Sequence, residues 1–81
     1  MGTRLTLIGR DGCHLCDDAR AAVAEVLAHF PEVTFEELSI DSNPELRYAY
    51  ADEIPVVLID GAMHTYWRVD GERLTRALNS R

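Results

Sequence analysis

The stretch GRDGCHLCDDAR, residues 9–20, contains both cysteines of the chain, Cys13 and Cys16, with two residues between them. It follows a run rich in β-branched and aliphatic residues, TRLTLI at residues 3–8, and such a run favours a strand. The glycines and aspartate before the first cysteine favour a turn. The stretch therefore predicts a strand, a turn and a helix, with the cysteine pair at the start of the helix.

Apolar side chains recur every three or four residues after the cysteines, which is the spacing of one face of an amphipathic helix. Pro31 follows the last of them and predicts the end of that helix. The predicted apolar stripe consists of Leu15, Ala19, Ala22, Val23, Val26, Leu27 and Phe30.

The rest of the chain predicts, in order, a strand over 33–40, a short helix over 44–51, strands over 54–59 and 62–66, and a last helix beginning at Asp70 or Gly71. The run IPVVLI is continuously apolar, which indicates a central strand. Asp60-Gly61 is a two-residue hairpin signal. The order β-α-β-α-β-β-α predicts an α/β fold with one four-stranded mixed sheet flanked by helices, in a single domain over residues 1–81.

Length and charge narrow the classes of function. The chain has 81 residues, 47% of them hydrophobic and 27% charged, with a formal net charge of −6. An acidic chain repels phosphate backbones, so we expect no nucleic-acid partner. No run reaches the roughly 18 apolar residues of a membrane helix, and the N-terminal apolar run is too short for a signal peptide. We expect a monomeric, cytoplasmic protein that does not bind membranes.

A C-x-x-C pair in a reducing compartment indicates redox chemistry or metal binding. The first N–H groups of a helix lack internal partners, and the helix dipole is positive there. A thiolate at Cys13 can accept hydrogen bonds from the N–H groups of Leu15 or Cys16, and Cys16 lies one turn further on. We therefore predict that Cys13 attacks a disulfide and that Cys16 resolves the mixed disulfide.

Nearby charges act on this thiolate in opposite directions. Arg10 and protonated His14 stabilise it, and we predict that His14 tunes its reactivity. Asp17 and Asp18 repel it, although they suit the helix dipole. A His14 side chain that is merely solvated is an equally simple interpretation.

Other interpretations of the cysteine pair stay open at this point. A structural zinc site needs four ligands, and the chain offers only the histidines at positions 14, 29 and 64 beyond the pair, without finger-like spacing. The sequence predicts no metal ligands. Two cysteines without a shared function are a further alternative.

Pro55 begins the predicted central strand, a position that tolerates a residue without a backbone N–H. An ordinary trans proline explains this placement. A cis Ile54–Pro55 bond would instead turn the Ile54 backbone toward the cysteines and offer its N–H and C=O to an extended peptide.

The motifs together resemble the thioredoxin superfamily, and most of all the glutaredoxins and the short bacterial glutaredoxin-like proteins of unassigned function. The similarity spans nearly the whole chain and rests on Cys13-His14-Leu15-Cys16-Asp17, on DSNPELRYAYADEIPVV (41–57) and on Trp67. It implies a thioredoxin-like fold, a cis Pro55 and disulfide reductase activity, with Cys13 as nucleophile and Cys16 as resolving cysteine. Arg10 matches a basic position of the family, and with Ile54 and Pro55 it is predicted to bind substrate.

The chain departs from glutaredoxins at two places that bear on glutathione. Glu53-Ile54-Pro55 stands where glutaredoxins usually have Thr-Val-Pro, and VDGERL (69–74) stands where they have a glycine pair. Glu53 would repel a glutathione carboxylate, and Asp70 and Glu72 are expected to add negative charge near the same ligand. We therefore predict no bound cofactor, weak use of glutathione and another thiol reductant.

Two functions follow from the resemblance. The first is a dithiol–disulfide oxidoreductase that acts on protein or small-molecule disulfides. The second is an iron–sulfur or metal carrier with Cys13 as a ligand.

Overall fold

The computed structural model describes residues 2–80, so the limits of the predicted domain, residues 1 and 81, lie outside the described residues. The elements are β1 (Arg4–Gly9), α1 (His14–Leu27), β2 (Thr34–Ser39), α2 (Pro44–Tyr50), β3 (Val56–Ile59), β4 (Ala62–Tyr66) and α3 (Gly71–Asn79). The predicted element order is confirmed. Helix α1 ends at Leu27, before Pro31, because its last turn gives way to tighter turns at His29 and Phe30.

The four strands form one mixed sheet in the order β2-β1-β3-β4. Strand β1 pairs in parallel with β2, through α1 as the connection, and antiparallel with β3. The hairpin between β3 and β4 turns at Asp60 and Gly61, which both have positive φ, as the sequence predicts. The continuously apolar β3 is central, as expected of a strand that is covered on both faces.

The helices cover the two faces of this sheet unequally. Helices α1 and α3 bury the larger core, which includes Leu5, Leu7, Val23, Val57, Leu74 and Leu78. The short α2 covers a smaller cluster of Ile8, Ile40 and Val56 on the other face, with Leu46 and Tyr50 packed against it. Within residues 2–80, no helix has the length and apolar character needed to cross a bilayer.

This packing places the cysteine pair at one edge of the larger core. The last residues of β1 are buried, and the turn after them leads directly into α1. Gly12 in that turn has φ +72°, a left-handed conformation that glycine adopts without strain. Cys13 is therefore presented at the start of α1, beside the end of a central strand.

Candidate functional site

Cys13 caps the N-terminus of α1. Its backbone is extended, with φ −101° and ψ 116°, and its Sγ accepts a hydrogen bond from the backbone N–H of Cys16 over 3.2 Å. This is one of the two donors that the sequence predicted. The Cys13 side chain is half-buried, so its sulfur combines a polar helix terminus with access to solvent.

Cys16 has a different environment, because only 1% of its surface is exposed. Burial, followed by the hydrogen bond of its thiol to Cys13, raises the pKa of Cys16 to about 11. The backbone N–H of Arg10 donates to its sulfur and opposes this shift. The pair is thus asymmetric: Cys16 keeps its proton and directs both an N–H and a thiol at Cys13.

The orientation of α1 corrects one sequence prediction. The spacing of apolar residues places Leu15 in the apolar stripe, but its side chain is 44% exposed. The buried stripe begins at Cys16 and continues through Ala19, Val23 and Val26. These four residues have helical spacing. Counting Cys16 as an apolar residue would therefore have predicted the buried face from the sequence.

Arg20 compensates part of the negative charge beside the pair. Its guanidinium bonds the Asp17 carboxylate at 2.8 Å and the Glu37 carboxylate at 2.9 Å. The bonds to Glu37 and Asp17 raise the pKa of Arg20, and the Arg20 bond lowers the pKa of Glu37. Because Arg20 pairs with Asp17, the repulsion between the Asp17 carboxylate and a Cys13 thiolate is partly compensated. The same ion pairs connect α1 to β2.

Pro55 lies in a turn that Trp67 covers. The Ile54–Pro55 bond is cis, and Pro55 is buried. The Trp67 backbone N–H donates to the Pro55 carbonyl at 2.8 Å, and its indole N–H donates to the Asp52 carbonyl at 3.0 Å. Trp67 has a left-handed backbone, with φ 66°. The indole N–H bond holds one edge of the ring, and because the residue is 54% exposed the other edge is accessible to solvent.

The sequence did not predict this contact between Trp67 and the Pro55 turn. A regular two-residue hairpin would pair Ile59 with Ala62 and continue without a shift. The structure has an irregularity between Val57 and Leu58, after which Val56 pairs with Tyr66. This shift of one residue brings Trp67 opposite Pro55. No residue of the two strands predicts the position of the shift from the sequence.

Trp67 also connects the Pro55 turn to the cysteine helix. A groove of about 230 Å³ lies beside the first two turns of α1, between that helix and the segment after β4. Leu15, two residues after Cys13, lies on one side of the groove and Trp67 on the other. The lining is completed by Asp18, Ala19, Arg68 and Val69.

The other predicted site residues have the following positions. The side chains of Arg10 and His14 are exposed, and the Arg10 backbone N–H and the Arg10 charge both favour negative charge on Cys16. Ile54 is half-buried against the smaller core. Gly71 at the start of α3 packs beside Val26, ten residues beyond Cys16 on α1 and roughly 15 Å along its axis.

Glu72 shares a groove with Glu25 and His29, at the C-terminal end of α1. The expectation that Asp70 and Glu72 add negative charge near a glutathione carboxylate stays a prediction. The Asp70 carboxylate caps α3 and accepts hydrogen bonds from the backbone N–H groups of Glu72 and Arg73.

The donors at this site do not fit a metal held within one chain. Between residues 2 and 80, no group of three or more His, Cys, Asp or Glu side chains is arranged to hold a metal ion. A structural zinc site takes four ligands. The described side chains supply only the two sulfurs of the pair.

Comparisons with known proteins show relatives of similar sequence and similar fold. The chain is 40% identical over 79 residues to an uncharacterised protein of Mycobacterium tuberculosis, covering 88% of this chain and 77% of that protein. The crystal structure of the structural-genomics target XcR50 from X. campestris is 34% identical, covers 95% of this chain and 97% of its own, and superposes with a TM-score of 0.71.

The class of fold is defined by more distant structures. Mitochondrial thioredoxin 3 of Saccharomyces cerevisiae, in its oxidised form, superposes with a TM-score of 0.73 at 13% identity, over 98% of this chain and 78% of that one. The protein therefore has a thioredoxin-like fold, as the sequence predicted. The family model for the glutaredoxin-like domain (DUF836) matches residues 4–79, and the chain belongs to that family.

Proposed function

We propose that this protein is a thiol–disulfide oxidoreductase that uses Cys13 and Cys16 to reduce disulfides. The observation that carries the proposal is the asymmetry of the pair. The half-buried Cys13 accepts a hydrogen bond from the N–H of Cys16 at a helix N-terminus, while Cys16 is buried and protonated. A thiolate with donors directed at it is the attacking species of disulfide exchange.

The reaction follows from this arrangement in two steps. The Cys13 thiolate attacks one sulfur of the substrate disulfide, and the other sulfur leaves as a thiolate that takes up a proton. Cys16 then loses its proton and attacks Cys13 Sγ, which releases the second substrate sulfur and leaves a Cys13–Cys16 disulfide. The pair gives up two electrons and the Cys16 proton, solvent supplies the second proton that the two substrate sulfurs take up, and an external thiol reductant restores the pair.

The surroundings supply roles for the other residues. The Arg10 backbone N–H stabilises negative charge on Cys16 as its proton leaves. We assign Ile54, Pro55 and the Arg10 side chain to substrate binding and His14 to thiolate stabilisation, in the cytoplasm and without a bound cofactor. The thioredoxin-like fold and the family membership support a redox role for the cysteine pair.

The direct test is reduction of insulin disulfides by dithiothreitol, with and without catalytic amounts of the protein. We expect the protein to accelerate the reaction and either Cys13→Ser or Cys16→Ser to abolish the acceleration. Mass spectrometry of the oxidised protein should show the loss of two hydrogen atoms and a peptide that links both cysteines. A wild-type protein that does not accelerate reduction would overturn the proposal.

A further inference from the structure

Gly9, the last residue of β1, lies directly against the sulfur of Cys16. An ideal Cβ placed on Gly9 would lie 3.0 Å from Cys16 Sγ and 3.2 Å from Cys16 Cβ. Contacts between carbon atoms are ordinarily about 3.5–4.0 Å long, so the side chain of any other residue would have to displace this cysteine or the strand. A glycine within a strand often marks such a close approach.

The strand is not free to make room. Gly9 is paired with Ser39 on the neighbouring β2, and its carbonyl accepts a hydrogen bond from the Ile40 N–H over 2.9 Å. Gly9 does not have the left-handed backbone of Gly12 and Gly61, so backbone conformation does not require glycine here. The requirement is space, and the space is occupied by the Cys16 side chain.

The displaced atom would be the one that acts in the second step of the proposed reaction. Cys16 Sγ is confined between Gly9, the Arg10 N–H and the Cys13 sulfur that it must attack. The residue is almost fully buried, so its sulfur has few alternative positions. A small shift at this point changes the approach of one sulfur to the other.

We propose that Gly9 is a positioning residue for the resolving cysteine, because its missing side chain lets Cys16 Sγ lie where it can attack Cys13. The inference rests on the proposed function. It assigns to Gly9 its principal effect on the second step, since the added Cβ has only Cys16 atoms within 4 Å and the backbone N–H that Cys16 donates to Cys13 does not depend on the position of its Sγ.

Ellman's reagent, an aromatic disulfide that releases a coloured thiolate, separates the two steps. The reduced protein is mixed with a substoichiometric amount of the reagent. Attack by Cys13 releases the first coloured thiolate, and attack by Cys16 on the resulting mixed disulfide releases the second. We expect Gly9→Ala to keep the rate of the first phase and to slow the second by about tenfold, which corresponds to about 1.4 kcal/mol.

Two control variants define the limits of this measurement. Gly71→Ala also adds one methyl group to a glycine, but its Cβ would lie 3.6 Å from Val26 Cγ2, in ordinary contact, and both phases should keep their wild-type rates. Cys16→Ser should show the first phase only.

If the wild-type protein shows no fast phase, the proposed function fails and this inference fails with it.

If Cys16→Ser lacks the second phase, the proposed function stands. If Gly9→Ala then shows the second phase at the wild-type rate, the proposed role of Gly9 is overturned. Equal slowing of both phases in Gly9→Ala would likewise contradict it, because that result indicates a general disturbance. If Gly9→Ala does not fold, the double variant Gly9→Ala/Cys16→Ala decides. A regained cooperative unfolding transition supports the contact with the Cys16 sulfur, and failure to regain it overturns the inference.

Discussion

The backbone N–H of Cys16 points at the sulfur of Cys13 over 3.2 Å, and the thiol of Cys16 donates to the same atom. One residue thus supplies two hydrogen-bond donors to its partner while its own sulfur is buried. Burial and the hydrogen bond to Cys13 raise the pKa of Cys16 to about 11, so negative charge on Cys16 is disfavoured.

Cys13 should react with iodoacetamide at neutral pH at least about a hundredfold faster than Cys16, because a buried thiol with a pKa of about 11 is almost never ionised at that pH. Peptide mass spectrometry after brief labelling measures the two rates. The same experiment in denaturant is the control, and there both cysteines should react alike. Labelling mainly on Cys16 would reverse the assigned roles.

Cys16→Ser should accumulate mixed disulfides between Cys13 and substrate proteins, because the intermediate loses its intramolecular route of release. Non-reducing electrophoresis of a lysate incubated with the tagged variant detects the adducts. The matched variant is Cys13→Ser, which keeps the buried thiol and should form few adducts. Equal numbers of adducts in both variants would contradict the prediction.

Under reducing conditions, the free energy of unfolding should fall as the pH rises from about 9 to about 11. The folded state keeps the Cys16 proton up to a pKa of about 11, whereas an unfolded thiol loses it near 9.0. The folded state therefore binds more protons in this window, and stability decreases with pH. The full difference is about 3 kcal/mol.

Urea unfolding at a series of pH values measures this loss. Cys16→Ala provides the comparison, since it lacks the buried thiol and keeps the other titrating groups. Its stability should change less over the same window. Parallel curves for the two proteins would show that Cys16 does not titrate abnormally.

Trp67→Ala should slow the reduction of a folded protein disulfide by about tenfold and leave the first phase with Ellman's reagent nearly unchanged. The exposed side of the indole lines the groove beside Leu15, where a protein chain that reaches Cys13 would contact it. A small disulfide does not extend that far. The measurement compares the rates for both substrates in each variant.

Two further variants make this comparison specific. Trp67→Phe keeps an aromatic ring but loses the indole N–H bond to Asp52, so its effect should be intermediate. Tyr48→Ala removes an aromatic side chain that is 95% exposed on α2, on the other side of the sheet, and should change neither rate. An equal loss for both substrates in Trp67→Ala would indicate a structural role.

Glutathione should support only slow turnover, and a protein reductant of the thioredoxin reductase type should be faster at matched driving force. The half-buried Glu53 next to Ile54 and Pro55 places a negative charge where a glutathione carboxylate would approach. Coupled assays with the two reductants give the rates. Glu53→Thr should raise the glutathione rate several-fold, and rapid wild-type turnover with glutathione would contradict the prediction.

The sequence indicated those features of the fold that depend on neighbouring residues. The turn before Cys13, the helix that begins after it and the Asp60-Gly61 hairpin all follow from local backbone preferences. The central position of β3 follows from its continuous apolar run. The cysteine pair at a helix N-terminus was therefore predictable, and so was the Cys16 N–H as a donor to Cys13.

Tertiary packing decided which faces these elements present. Periodicity alone leaves the rotation of α1 uncertain by one residue, and contact with the sheet buries Cys16 and exposes Leu15. Packing also sets the rotation of α2, which turns Tyr48 to solvent and Tyr50 toward the smaller core.

The candidate site depends on contacts between residues far apart in the chain. The shifted register at Val57 and Leu58 brings Trp67 to Pro55, and the parallel pairing of β1 with β2 holds Gly9 against the Cys16 sulfur. The sequence by itself determined that two thiols begin a helix, because backbone preferences act locally. Only the tertiary structure decided that one thiol is buried and the other accessible, because burial depends on which distant elements pack against each residue.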